Sequence, residues 1–306
     1  MPNSPRPIAT PPAWTVGDLR VHRVDEVTLP PATGPWLLPS ATAQVVDQAP
    51  WLRPDFADEA GVLRLASHSF AVVVDGLRIV VDTGIGNGKS RANPAWDHLD
   101  SDYLARLARA GVRPDDVDLV INTHLHVDHV GWNTFLDGGV WTPTFPRATY
   151  LMPRRDFEFW DPARGHTPRL GRGNQNVFED SVAPVHEAGQ TLLWDDGHTI
   201  DANLRLELAP GHTPGSAVLK LASGGDRAVF VGDLLHTPLQ FVEPDVNSCF
   251  CEDPVRARAS RHRLLGWAAD HRALVLPAHL GGHGGAEVSR RGAGFAIRKW
   301  APFSRL

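Results

Sequence analysis

The segment from His124 to His129 constrains the fold of this chain more than any other part of its sequence. It places three histidines and one aspartate within six residues: His124, His126, Asp128 and His129. The apolar run at 117–121 predicts a short buried strand before it, and residues two apart in an extended chain point to the same side. Four desolvated titratable groups this close together would be unstable without a cation. Because imidazole and carboxylate groups are ligands that suit zinc and its neighbours, the segment predicts a metal site.

Three other strand ends each present one histidine or aspartate. These residues are His212, Asp233 and His279, and a glycine or proline precedes each of them closely. They follow predicted strands at 205–208, 228–231 and 273–276. Each is a weak signal when taken alone, because strand ends commonly carry polar turn residues. We expect the remainder of the metal site to come from such strand ends.

The rest of the pattern predicts an α/β chain built in layers. A hairpin over 69–81 is indicated by two β-branched runs around Asp75-Gly76, and helices are predicted at 99–110 and 254–270. Strands dominate both halves, which favours two sheets packed face to face with helices outside. The stretches at 138–146 and 161–175, rich in proline and glycine, are interpreted as loops within one domain.

Composition excludes several classes of protein. The 306 residues carry 30 basic and 35 acidic side chains, a formal charge of −5, so the Lys/Arg surface that nucleic acids require is not expected. No apolar run approaches the roughly 20 residues that span a bilayer, and no signal peptide is evident. We expect a cytoplasmic protein with neither a nucleic-acid nor a membrane partner. Cys249 and Cys251 are too few for a disulfide framework and have no assigned role.

The order of the motifs resembles that of the metallo-β-lactamase-fold hydrolases. The matching segments are Asp82-Thr83-Gly84, His124–His129, Pro210–Ser216, Gly232-Asp233 and Pro277–His279. The resemblance covers most of the chain and fills all of the family's signature positions. It implies a four-layer αβ/βα sandwich with a binuclear metal site at one edge.

The resemblance also assigns a role to each polar residue of these motifs. The first metal ion would be held by His124, His126 and His212. The second would be held by Asp128, His129 and His279. Asp233 would bridge the two ions, and Asp82 would orient a ligand without binding metal itself. We expect zinc in both positions, with manganese, cobalt or iron as alternatives, because His/Asp sites accept all of these.

The implied activity is metal-dependent hydrolysis of an ester, lactone or phosphotriester. Two divalent cations lower the pKa of a shared water to about 7, and the resulting hydroxide would attack the substrate while Asp128 assists proton transfer. His236 stands three residues after Asp233, where acyl-homoserine lactonases of this family typically carry a tyrosine. In this respect the chain resembles the subgroup of methyl-parathion hydrolases and broad-specificity lactonases and arylesterases. His236 is therefore a predicted catalytic residue.

The expected substrate is a small molecule with an apolar or aromatic body. Four aromatic residues are predicted to line its pocket: Trp132, Phe157, Trp160 and Phe241. Residues 1–60 are predicted to form an arm that resembles dimerisation extensions of the subgroup, with the hydrolase domain at 61–306, so a homodimer is expected. Two alternatives stay open: a β-lactam- or thioester-cleaving enzyme of the same fold, and a non-catalytic binding module stabilised by metal.

Overall fold

Two seven-stranded sheets form the centre of the molecule. The computed structural model describes residues 11–169 and 171–301. In chain order its strands are β1 (Ala13–Val16), β2 (Leu19–Thr28), β3 (Ala66–Val74), β4 (Leu77–Val81), β5 (Leu119–Ile121), β6 (Thr134–Asp137), β7 (Val140–Pro143), β8 (Thr149–Pro153), β9 (Thr191–Trp194), β10 (Gly197–Thr199), β11 (Leu204–Leu208), β12 (Ala217–Ser223), β13 (Asp226–Gly232), β14 (Leu274–Pro277), β15 (Ala286–Arg291) and β16 (Gly294–Trp300). Its α-helices are α1 (Thr33–Leu37), α2 (Ala43–Asp47), α3 (Tyr103–Arg109), α4 (Arg154–Trp160), α5 (Ala183–Glu187), α6 (Leu239–Val242) and α7 (Pro254–His271). The first sheet contains β1 to β5, β8 and β9, the second contains β10 to β16, and β6 pairs with β7 in a separate hairpin.

The sheets pack face to face through an apolar core to which both contribute. Phe70 of β3 and Phe230 of β13 meet there with ring centroids 5.2 Å apart. A second cluster packs α7 against the outer face of the second sheet, and a third packs α3 against the first sheet. Each large apolar side chain that is fully buried contributes roughly 1.5–3 kcal/mol relative to an exposed one. The predicted four-layer αβ/βα sandwich is confirmed.

Parallel pairing brings the strands that precede the metal motifs to a common edge. β4 is parallel to β5, and β13 is parallel to β14. Asp82 directly follows β4, and the segment His124–His129 follows β5; Asp233 directly follows β13, and His279 comes soon after β14. Because parallel strands end at the same edge of a sheet, each sheet delivers two of the motifs to one side.

The predicted hairpin and helices agree with the structure to within a few residues, but the stretch 138–146, predicted as a loop, contains strand β7, which pairs with β6. Asp75 and Gly76 both have positive φ, 48° and 85°, as the tight turn of the β3–β4 hairpin requires. Helix α3 is shorter than predicted because it begins only after Asp102, which pairs with Arg106 at 2.6 Å. Helix α7 begins at Pro254 and is capped by Asp253, whose side chain accepts hydrogen bonds from two backbone amides of the first turn. Among the described residues, no helix combines the length and apolar character needed to cross a membrane.

The segment predicted as an arm contributes to the sandwich. β1 pairs with β2, and β2 pairs along its length with β3. Leu19, Val21 and Val24 are buried apolar residues of β2, and their burial against the other elements holds this part of the chain in the first sheet rather than apart from it. Residues 1–10 of the predicted arm lie outside the described residues, and the role in dimerisation stays a prediction.

Candidate metal centre

The seven residues predicted as metal ligands come together at the sheet edge. The ligand atoms of His124, His126, His212 and Asp233 lie within 4.8 Å of one another, and so do those of Asp128, His129 and His279. We call His124, His126 and His212 the first ligand set, and Asp128, His129 and His279 the second ligand set. The assembly joins loops from both sheets, since three of its members follow strands of the second sheet.

Asp233 lies between the two sets. Its Oδ1 is 3.0 Å from Nε2 of His129 and 2.8 Å from Nε2 of His279. Its Oδ2 is 3.2 Å from Nε2 of His212 and 3.7 Å from Nε2 of His124. One carboxylate oxygen thus faces each set, which is the arrangement that the predicted bridging role requires.

The ring nitrogens of the first set converge in a way that suits a cation. Nδ1 of His126 lies 3.1 Å from Nε2 of His124 and 3.0 Å from Nε2 of His212. Nitrogens bound at about 2.0–2.1 Å to a tetrahedral zinc ion lie roughly 3.3 Å from one another, so the observed spacing fits such a site. Burial lowers the pKa of His124 and of His126 well below the usual range. Both imidazoles are therefore neutral near pH 7, which is the form that binds metal.

The second set is held by hydrogen bonds on the opposite side of its imidazole rings. Nδ1 of His129 lies 2.9 Å from Oδ2 of Asp82, and Nδ1 of His279 lies 2.8 Å from the carbonyl oxygen of Ala66. Asp82 also accepts hydrogen bonds from the backbone amide and the hydroxyl group of Thr123, at 2.7 Å and 2.8 Å. These contacts fix the direction in which Nε2 of each histidine points.

Asp128 is the most accessible member of the cluster. Its side chain is 11% exposed, and it lines a cavity of about 560 Å³ that opens onto the site. Its carboxylate oxygens lie 3.7 Å from Nε2 of His129 and 3.6 Å from Nε2 of His279. It thus faces both the second set and the space that a substrate would occupy.

Comparison with known proteins places this arrangement in a family. Residues 62–279, more than half of the chain, match the sequence profile of the Metallo-beta-lactamase superfamily. The chain belongs to this superfamily. Its five signature motifs all fall within or at the end of the matched region.

Among similar curated proteins are two N-acyl homoserine lactonases named AttM. The protein from Azorhizobium caulinodans is 29% identical over 137 residues, covering 41% of this chain and 44% of that protein. The protein from Rhizobium radiobacter is 26% identical over 196 residues, covering 60% of this chain and 66% of that protein. The chain therefore spans between 44% and 66% of the length of these relatives.

Two solved structures share the whole fold. AidC, described as a dizinc quorum-quenching lactonase, superposes with a TM-score of 0.75 at 22% identity, covering 97% of this chain and 98% of AidC. The hydrolase AbOPH superposes with a TM-score of 0.77 at 22% identity, covering 98% of this chain and 100% of AbOPH. At this level of identity the likeness shows the fold alone.

The cavity of this superfamily member has apolar walls and a polar floor. The floor includes Asp128, Asp233, His236 and His279. The walls include Leu29, Trp36, Leu37, Trp96, Trp160 and Phe250. Trp36 and Phe250 meet edge to face with ring centroids 5.0 Å apart. The segment predicted as an arm therefore supplies part of the wall.

Three of the four residues predicted for the pocket lie elsewhere. Trp160 lines the cavity, whereas Trp132 stacks on Tyr103 with ring centroids 5.7 Å apart. Phe157 packs against Phe178 with ring centroids 5.2 Å apart. Phe241 is completely buried in the core beside the second sheet. The pocket prediction is wrong for these three, because their rings pack against other side chains inside the layers and do not line the cavity.

Glu26 supports the site and was not identified from the sequence. Its carboxylate accepts hydrogen bonds from the backbone amides of Ile85 at 2.6 Å and Gly86 at 3.1 Å. It also accepts one from Nε1 of Trp132 at 2.7 Å. These contacts hold the loop that follows Asp82. An isolated acidic residue in a strand carries no local signal of such a role.

We expect Glu26→Gln to lower the free energy of unfolding of the metal-free protein by about 2–4 kcal/mol, measured by urea denaturation. The amide group replaces an acceptor oxygen, and each buried donor left without a partner costs roughly 1–3 kcal/mol. Burial raises the pKa of Glu26 from 4.5 to about 7. Since the folded pKa exceeds the unfolded one, the wild type should lose stability as the pH rises from about 4.5 to about 7. The Glu26→Gln variant should not show this loss of stability with rising pH.

The exposed Glu59 offers a matched control. Glu59→Gln should leave both the stability and its pH dependence close to those of the wild type. Equal stability of the two variants would contradict the assigned role of Glu26.

Proposed function

We propose that this chain is a binuclear metal-dependent hydrolase that opens lactones with an apolar body. The observation that carries the proposal is the position of Asp233, whose two carboxylate oxygens face two separate ligand sets at the floor of an apolar cavity. Support for the substrate comes from AttM and AidC, which are described as lactonases. Zinc is the proposed metal, with manganese, cobalt and iron as alternatives.

Two divalent cations, when bound, supply Lewis-acid polarisation of the substrate carbonyl and a water that loses its proton near neutral pH. Asp128 is placed between the second ligand set and the cavity, so its carboxylate can take up the proton of the attacking water. The new carbon–oxygen bond forms as the ring carbon–oxygen bond breaks. The leaving oxygen, which stays in the product, then receives the proton from Asp128. The product is an open-chain hydroxy acid.

His236 is placed to hydrogen-bond to a substrate oxygen. The residue is completely buried, and its ring stacks parallel to that of His279 with centroids 5.4 Å apart. Nε2 lies 3.2 Å from Oδ2 of Asp233, but within the described residues neither ring nitrogen has a partner with hydrogen-bond geometry. Burial lowers the pKa of His236 to about 4. The neutral imidazole therefore offers one N–H group at the floor of the cavity.

Replacement of His236 by phenylalanine should lower kcat by roughly 10- to 100-fold, because a hydrogen bond to a charged group is worth about 1.5–3 kcal/mol. Phenylalanine keeps an aromatic ring in the stack with His279 and removes the N–H group. Metal content, measured by elemental analysis, should stay at the wild-type value. Since His236 also lies within 4.8 Å of ligand atoms of Asp233 and His279, loss of a metal ion would instead identify it as a ligand.

A substrate panel tests the proposed function. The metal-loaded protein is given an N-acyl homoserine lactone, an aryl ester, a phosphotriester, a thioester and a chromogenic β-lactam at equal concentrations. We expect kcat/KM to be highest for the lactone. Higher kcat/KM for the β-lactam or thioester would favour the alternative enzymes, and turnover of none of the five with metal bound would favour a non-catalytic binding module. Either result would overturn the proposal.

We also propose that the chain acts as a homodimer on a small molecule in the cytoplasm, without a nucleic-acid or membrane partner. The formal charge of −5 supports the exclusion of nucleic acid. Analytical ultracentrifugation tests the dimer. Arylesterase and phosphotriesterase activities are secondary proposals that the same substrate panel tests.

A further inference from the structure

A buried carboxylate outside both ligand sets joins the two loops that carry the first set. Asp156 lies in the first turn of α4, and its side chain is completely buried. Its Oδ2 accepts a hydrogen bond from the backbone amide of Leu125 at 3.0 Å and another from the hydroxyl group of Thr213 at 2.9 Å. Its Oδ1 accepts one from the backbone amide of Gly215 at 2.6 Å. One side chain thus connects three points on two separate loops.

These points flank the histidines of the first set. Leu125 stands between His124 and His126, and Thr213 directly follows His212. Gly215 approaches so closely that a Cβ atom there would lie 2.7 Å from Oδ1 of Asp156. Replacement of the glycine would therefore force the loop away from the carboxylate. The glycine at position 215 thus permits the contact through which Asp156 holds the two loops together.

His212 of the first set depends on this contact more than the histidines of the second set do. Nδ1 of His129 has the Asp82 carboxylate at 2.9 Å, and Nδ1 of His279 has a backbone carbonyl at 2.8 Å. Nδ1 of His212 instead faces the thiol of Cys251, with Sγ at 3.9 Å. A thiol is a weak hydrogen-bonding group. The direction of the His212 ring is therefore set mainly by the backbone of its loop.

We propose that Asp156 is a positioning residue for the first metal ion, acting through the loops of His124, His126 and His212 as Asp82 acts directly on His129. The inference rests on the metal centre of the proposed function and not on its substrate. It predicts a selective effect, because the hydrogen bonds that orient His129 and His279 come from Asp82 and Ala66 and not from Asp156. Loss of the carboxylate should weaken the binding of the first metal ion and leave the binding of the second unchanged.

The test measures zinc binding by Asp156→Asn in competition with a chromogenic chelator. The amide keeps one acceptor and turns an N–H group toward donors. We expect the variant to keep one equivalent of zinc at wild-type affinity and to bind the other roughly 10- to 100-fold more weakly, the range found for partners of metal ligands. Adding His279→Ala to this variant should weaken the retained equivalent, which identifies it with the second set.

Asp180→Asn is the matched control. Asp180 is also a buried carboxylate, but it pairs with Arg91 at 2.6 Å and with Lys89 at 3.4 Å rather than with the ligand loops. This variant should bind both zinc ions with wild-type affinity even if its stability falls. Equal weakening in the two variants would show a general effect of removing a buried charge and would overturn the proposal.

We expect the Asp156 variant to fold, because hydrogen bonds that do not involve Asp156 also hold the His212 loop. Backbone amides of Glu252 and Asp253 bond to the carbonyl groups of His212 and Gly211, at 3.0 Å and 2.9 Å, so other contacts still hold the loop. If the variant does not fold, Thr213→Val replaces it, with the same selective loss expected at smaller size. Two zinc ions bound within threefold of wild-type affinity would overturn the inference. A wild type that binds no zinc would instead overturn the proposed metal centre.

Discussion

Replacing Asp233 by asparagine should lower kcat/KM by roughly 1,000-fold or more and reduce the metal content of the protein. The carboxylate is 7% exposed and faces both ligand sets, so the amide removes a negative charge from the point where two cations would meet. The amide NH2 group also stands where the carboxylate had its second oxygen, so one metal ligand is replaced by a hydrogen-bond donor. Metal-ion catalysis contributes several kcal/mol, and each 1.36 kcal/mol corresponds to a tenfold change in rate.

Elemental analysis and kinetics on the same preparation provide the measurement. Asp137→Asn, at an exposed position of β6, is the control and should behave as the wild type does. An Asp233→Asn variant that keeps both metal ions and hydrolyses its substrate at the wild-type rate would contradict the bridging role.

Replacing Asp128 by asparagine should lower kcat by roughly 100- to 10,000-fold, the usual contribution of general acid–base catalysis. Asp128 lines the cavity beside the second ligand set, and asparagine keeps its shape while losing the ability to accept a proton. Because Asp128 is also a predicted ligand, metal content must be measured on the same sample with zinc in excess. Unchanged hydrolysis with metal retained would show that the proton passes through another group.

The metal centre was the most predictable part of the molecule. The four polar residues at 124–129 lie next to one another in the sequence, and a short strand followed by a turn suffices to bring them together. His212, Asp233 and His279 were weak candidates from their strand ends alone, and the family resemblance was needed to assign them, because each is separated from the others by an entire strand or helix. Parallel pairing of β13 with β14 explains why two distant strand ends meet.

The pocket and the supporting carboxylates of Glu26 and Asp156 were not predictable in the same way. Trp132 and Trp160 are both aromatic residues near the metal motifs, yet one stacks on Tyr103 and the other lines the cavity. Tertiary packing decides between these outcomes, and the local sequence pattern carries no information about tertiary packing. Glu26 and Asp156 are single acids whose partners lie between 31 and 106 residues away in sequence. Their importance becomes visible only when their hydrogen bonds are seen.

The N-terminal region shows a similar limit. Its likeness to dimerisation extensions favoured an arm over residues 1–60, whereas β2 pairs with β3 and Leu29 and Trp36 reach the cavity. The pairing of β2 along its length with β3 shows that this part of the chain belongs to the first sheet. Because Trp36 lines the cavity, we expect substitutions there to affect the proposed substrate selection.

The metal content of protein purified without added metal is the most direct test of the central claim that this chain holds two metal ions in one hydrolytic site. Elemental analysis should give two equivalents of divalent metal per chain, and removal of both with a chelator should abolish lactone hydrolysis until metal is restored. Fewer than one equivalent in active protein, or full hydrolysis by the metal-free chain, would contradict a hydrolytic site with two metal ions.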